Sequence, residues 1–224
     1  MKSKGSQKKK GDWTKKFTQF FIVFILAACV LGFSLNMAFF TGIKSAQPGS
    51  LVTIDYTIYT PDGIPVLTSD QNILQAAYQQ GIPVVLTQSM FIEVESQQEN
   101  SITDIEGYDY QGGTVHFALF SSELNAISDS LNGLRNNDIK SVQFTDDLVM
   151  TRSIEDFEKS GFNVTAIPVG SLISLGFTET TYIPVGNITP VIPIRWVKVI
   201  DKTDDNITVR YNYGSANITV REIH

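Results

Sequence analysis

Nucleophilic, acid–base and metal chemistry draw on side chains that this sequence almost lacks: its 224 residues include one cysteine, Cys29, and two histidines, His116 and His224. Sites built on His and Cys need several such ligands at short spacing, so they are excluded, as is thiol catalysis. A Ser-His-Asp arrangement would rest on His116. That residue sits in the alternating run from Thr114 to Leu119, where a solvent-facing strand position accounts for it. Asp201, Asp204 and Asp205 crowd one turn, but the D-x-[DN]-x-[DN]-G spacing of a calcium loop is absent, and a solvated hairpin turn is the reading. No metal and no cofactor is expected.

The elements that would carry any site are mostly strands. Val52, Ile54, Tyr56 and Ile58 alternate with polar partners as in a half-buried strand, Pro61-Asp62-Gly63 supplies a turn, and Ile64 to Leu67 returns as a second strand. Residues 70–114 are Gln-rich and then Gly/Tyr-rich, with a strand-like stretch from Ile82 to Glu95, and read as an insertion. Leu124, Ile127, Leu131 and Leu134 fall on one helical face, with Ser121 or Ser122 as the cap. Ile139 to Phe144 follows as a strand. Ser153 to Ser160 is a second helix, with Ser153 and Asp156 in a capping box and Gly161 past its end. Trp196 to Ile200 pairs with Ile207 to Tyr213 as a hairpin, and Asn217 to Ile223 is the last strand.

Charge divides the chain. Residues 1 to 40 hold seven lysines and one acid, whereas residues 41 to 224 hold ten basic and 22 acidic side chains, so a net charge of −6 is +6 on one part and −12 on the other. The acidic part argues against nucleic acid as a partner. The lysines make residues 1–16 a basic tail, and residues 17–43 then contain no charge. At about 1.5 Å per residue this run would reach roughly 40 Å, beyond a hydrocarbon core of about 30 Å. The expectation is an uncleaved transmembrane helix over 17–43: a single-pass cell-membrane anchor with a cytoplasmic tail and an extracytoplasmic C-terminal domain.

Three segments resemble a known family. Gly49-Ser-Leu-Val-Thr-Ile-Asp-Tyr-Thr-Ile-Tyr-Thr-Pro-Asp-Gly63 is similar to G-x-x-V-x-[VI]-x-Y-T-x-x-x-x-[DE]-G, and Leu124-Asn-Ala-Ile-Ser-Asp-Ser-Leu-Asn-Gly-Leu-Arg-Asn-Asn-Asp138 to I-P-G-[FW]-E-x-x-L-x-G-M-x-x-G-[ED]. More loosely, Val197 to Ile223 resembles a flap-domain end and closing strand, with Tyr213-Gly214-Ser215-Ala216 at the junction. Together these resemble the FKBP-type peptidyl-prolyl cis-trans isomerases, in the prokaryotic and archaeal branch with an inserted flap domain. The resemblance implies an α+β fold: after the transmembrane helix, a curved antiparallel sheet around a short helix, with a β-rich insert. The core would span residues 49–145, including the insertion at about 70–114. The flap-type domain would span 146–213 and the closing strand 214–224.

The resemblance also implies a site. Tyr56 matches the pocket tyrosine and Leu124 the aliphatic residue beside the substrate backbone. Ile127 stands at the pocket floor, and Val66 and Leu67 replace a phenylalanine and the pocket aspartate. Val115, Phe117 and Ile218 would contribute to substrate binding. The implied activity is peptidyl-prolyl isomerisation that assists the folding of exported proteins, weakened by the missing aspartate and aromatics. Its partners would be proline-containing or unfolded polypeptides. Alternatives are a non-catalytic chaperone or binding module on the same fold, and a cell-surface structural protein.

Overall fold

The computed structural model describes residues 16–30, 44–178 and 191–224. The chain divides into two compact units, residues 1–44 and 45–224. In the first, residues 16–30 form helix α1, with Phe17 and Phe21 one turn apart and their rings stacked at 6.5 Å. The 15 described residues span about 22 Å as a helix, against a hydrocarbon core of about 30 Å. Among the described residues no helix is long and apolar enough to cross a membrane. This corrects the expected span over 17–43 and with it the single-pass anchor and its topology. An uncharged run establishes apolarity, not helix length. Residues 1–15 and 31–43, which hold most of the basic tail and the end of that run, lie outside the described residues.

In the second unit the alternating residues Leu51–Tyr59 form strand β1, and the Gly63 turn (φ 79°) leads into β2, Pro65–Thr68. The segment read as an insertion opens with helix α2, Gln71–Gln79, whose first turn is closed by the Asp70 carboxylate accepting the Asn72 N–H at 2.8 Å. Strands β3 (Val85–Thr87), β4 (Met90–Glu93) and β5 (Ile102–Tyr108) follow. Then come β6 (Thr114–Phe120), helix α3 (Ser121–Ser130) and β7 (Ile139–Gln143). Strand β8 (Val149–Ser153) runs into helix α4, Ile154–Lys159, capped by the Ser153 hydroxyl and ended before Gly161 as the sequence predicts. After a 3₁₀ turn at Val164–Ala166, β9 (Leu172–Gly176), β10 (Ile194–Lys202), β11 (Asn206–Arg210) and β12 (Ser215–Ile223) complete the unit.

The twelve strands of the described residues belong to one sheet in the order β7-β12-β1-β2-β3-β5-β6-β10-β11-β8, with β4 also paired to β1 and β9 to β10. The sheet is mixed, which corrects the expected curved antiparallel sheet around one helix. The physical reason lies in residues 70–114. Helix α2 carries the chain back across the sheet, so β3 returns parallel to β2, with Leu67 beside Val85. Strand β10 likewise runs parallel to β6, joined by the single register pair Ile194 with Phe117.

Two hydrophobic cores lie on this sheet. The larger gathers β1, β2, α3 and β12 around residues such as Ile54, Ile58, Leu119, Leu131 and Val220. The smaller is built from Phe157, Val164, Leu175, Val197, Val199, Ile207 and Val209. Helix α3 packs its apolar face onto the first core but is not capped by serine. It begins behind Phe120, whose backbone N–H donates to the Glu123 carboxylate at 2.9 Å.

Candidate functional site

The residues singled out by sequence resemblance come from five elements: Tyr56 from β1, Val66 and Leu67 from β2, Val115 and Phe117 from β6, Leu124 and Ile127 from α3, and Ile218 from β12. Tyr56 and Ile218 are register partners on neighbouring strands. All except Val115 belong to the larger core, and none of those seven is more than 3% exposed. They are brought together, but as a closed core. Val115 packs at its margin and is half-buried.

Two phenols deepen this core. Burial pushes the Tyr56 hydroxyl up to about 12, the Thr87 side chain offsetting part of the shift, and no hydrogen bond of good geometry reaches the phenolic oxygen. Tyr213 stacks on Phe117 with ring centroids 5.9 Å apart, and burial raises its pKa as well, against the lowering charge of Arg195. Its oxygen also lacks a hydrogen bond of good geometry.

An apolar groove opens beside this core, with a volume of about 510 Å³. It is lined by Leu74 and Tyr78 of α2, residues 81–85 and the β5–β6 turn at Asp109–Gln111, with Val115 of β6 and Ile194 and Trp196 of β10 as its base. The two strands at this base, β6 and β10, share one register pair, Ile194 with Phe117. Gly107 allows β5 to approach β3 closely enough to shape the wall, since a Cβ there would stand 2.5 Å from the Val85 side chain and 2.6 Å from the Leu86 carbonyl oxygen. The Asp109 carboxylate accepts the backbone N–H groups of Gln111 and Gly113 at 2.9 and 2.8 Å, fixing the turn that presents Tyr110. Tyr110 stacks face to face on Tyr78, centroids 3.3 Å apart, so the two elements meet through their rings. Trp196 keeps its indole N–H buried without a hydrogen-bond partner.

No protein-family model matches this chain, and no curated protein is significantly similar to it.

The side chain beside Trp196, Arg195, donates five hydrogen bonds. Arg195, fully buried, forks onto Glu123 with Nη2 to Oε1 at 2.6 Å and Nη1 to Oε2 at 2.9 Å. It also donates to the carbonyl oxygens of Ala118 (2.8 Å) and Tyr211 (3.0 and 3.2 Å). The rings of Phe120 and Tyr213 lie 3.9 and 4.0 Å from the guanidinium carbon. Burial alone would lower the Arg195 pKa, but the Glu123 charge and its hydrogen bonds outweigh it and the net shift is upward.

Sequence reasoning passed over both the groove and this pair. The signals were a lone charge in the apolar run Val191-Ile-Pro-Ile-Arg-Trp-Val197, and tyrosines flanking the glycine pair in Tyr108-Asp-Tyr-Gln-Gly-Gly113. His116 Nδ1 lies 2.8 Å from Asp104 across the β5–β6 ribbon. Among the described residues no group of three His, Cys, Asp or Glu side chains is placed to hold a metal ion.

Proposed function

We propose that residues 45–224 bind proline-containing, apolar segments of unfolded polypeptide in the aromatic groove and accelerate rotation about their X-Pro bonds. The observation that carries this reading is the groove itself: a mostly apolar lining that includes the stacked pair Tyr78 and Tyr110, whose aromatic surface suits a proline ring. The resemblance of Gly49–Gly63 and Leu124–Asp138 to FKBP-type isomerases supports the reaction assigned to it.

Such a reaction needs neither nucleophile nor cofactor. The X-Pro bond rotates past a barrier of about 20 kcal/mol. A twisted amide loses resonance and carries less charge on its oxygen, so a desolvated apolar wall disfavours the planar ground state relative to it. Lowering the barrier by about 4 kcal/mol accelerates rotation roughly a thousandfold.

Non-catalytic holding of the same segments is the second reading, favoured by one observation: Tyr56, Val66, Leu67, Phe117, Leu124, Ile127 and Ile218 are all enclosed in the core. NMR exchange spectroscopy on an aromatic-flanked Xaa-Pro peptide with the full chain separates the two. Accelerated cis-trans exchange, with shifts of the Tyr78, Tyr110 and Trp196 resonances, is the expected result. Shifts without acceleration select holding, and the absence of both eliminates the groove as a peptide site.

A further inference from the structure

Strand β10 lies at the junction of the two cores. Trp196 packs against the larger one, while Val197 and Val199 belong to the smaller. Two successive side chains of the groove's base, Ile194 and Trp196, flank Arg195, and alternation along a strand points Arg195 to the opposite face. Backbone pairing does little to locate this part of β10 against β6, because the two strands share only the pair Ile194 with Phe117. On its other edge this stretch pairs with β9, which among the described residues pairs with β10 alone, and β11 joins β10 only from Lys198 onward. What ties β10 to β6 and α3 is the Arg195 side chain, through Ala118 at the end of β6 and Glu123 in the first turn of α3.

From this geometry we propose that Arg195 is the positioning residue of the groove: its ion pair with Glu123 sets where Ile194 and Trp196 stand relative to Val115. A charge pair is suited to that task because its fork is directional. Apolar contacts at the same place would hold β10 against the sheet with far less control over register. Glu123 is fixed in turn by accepting the Phe120 N–H, so the chain of contacts runs from the start of α3 to the groove's base. The clamp of Phe120 and Tyr213 on the guanidinium removes its remaining freedom. The inference rests on the groove being the binding site only for its effect on affinity; its effect on Trp196 does not depend on that reading.

The test uses the full chain in a Trp13→Phe background, which leaves Trp196 as the single tryptophan. Arg195→Met combined with Glu123→Leu replaces the pair by apolar side chains of similar size, an exchange that often leaves stability unchanged or raised. Arg195→Lys keeps the charge but not the fork. Both variants are expected to fold, to shift Trp196 emission to the red with greater acrylamide quenching, and to bind the aromatic-flanked Xaa-Pro peptide about tenfold more weakly, as displaced positioning groups do. A folded variant that keeps wild-type emission and quenching overturns the proposal. So does loss of folding in both variants, since the pair would then be a requirement of the fold and not a positioning device. If the Trp13→Phe chain binds no peptide, the groove reading fails by itself and the emission and quenching of the two variants still decide the role of Arg195.

Discussion

Tyr56 ends in a hydroxyl that the fold buries without a hydrogen bond of good geometry, and its consequences are measurable. With its pKa pushed up to about 12, the folded chain keeps Tyr56 protonated over a range where the unfolded chain, near 10, ionises it. The unfolded state therefore binds fewer protons there, and stability falls as pH rises from about 10 to about 12, by up to roughly 3 kcal/mol, while this group has no effect below that window. Denaturant titrations at a series of alkaline pH values should show a shallower fall in Tyr56→Phe. At neutral pH that variant should be as stable as wild type or up to about 2 kcal/mol more stable, because it removes an unsatisfied polar atom. Leu67 carries the opposite lesson. Leu67→Asp would install the carboxylate of the family that the sequence resembles, but Leu67 is fully enclosed among apolar side chains of the larger core. The substitution is expected to destabilise by about 3 kcal/mol or more and not to raise activity, as chemical denaturation would show.

Among the elements, those with local signals were legible. The alternation in Leu51–Tyr59 and the turn at Gly63 predicted β1 and β2; the Ser153 cap and Gly161 predicted α4; and the β10–β11 hairpin followed from two β-branched runs around a polar turn. What was not legible depended on distant partners. Helix α2 reads as Gln-Asn-Ile-Leu-Gln-Ala-Ala-Tyr-Gln, too polar and short to announce itself, and it depends on the Asp70 cap and on packing over β2 and β3. Helix α3 was recognised but its cap was not, because the Glu123 carboxylate that accepts the Phe120 N–H also binds Arg195, 72 positions away. Strand β5 shows how closely such elements are fitted. Gly107→Ala should push β3 and β5 apart where the added methyl meets Val85 and the Leu86 carbonyl. The expected cost is about 1–3 kcal/mol. Hydrogen exchange should show faster opening of the Thr87 and Tyr108 amides, together with weaker peptide binding in the groove that β3 helps to wall.

Over the whole molecule, residues 45–224 carry two hydrophobic cores on one sheet, a construction that invites separate melting unless something couples them. Within the sheet the route from one core to the other passes through β6 and β10, which share a single register pair. Side chains add to that coupling: Arg195, Glu123, Phe120 and Tyr213, with Tyr213 stacked on Phe117 of the larger core and Arg195 one residue from Trp196 and two from Val197 of the smaller, together with the rings of Phe177 and Tyr211 on Phe120 and the Lys198–Asp62 ion pair. Breaking one partner of such a buried pair leaves an uncompensated charge and costs about 3–5 kcal/mol, so either core opening alone would expose or orphan the pair. The expected behaviour is therefore a single transition. In the Trp13→Phe chain, urea unfolding followed by Trp196 emission at the junction and by far-UV circular dichroism over all strands should give coincident curves. In Glu123→Gln, where the charge on Arg195 is left without its partner, the Trp196 transition should move to lower urea ahead of the dichroism. Coincident curves in that variant as well would show that the Arg195–Glu123 pair is not what couples the cores.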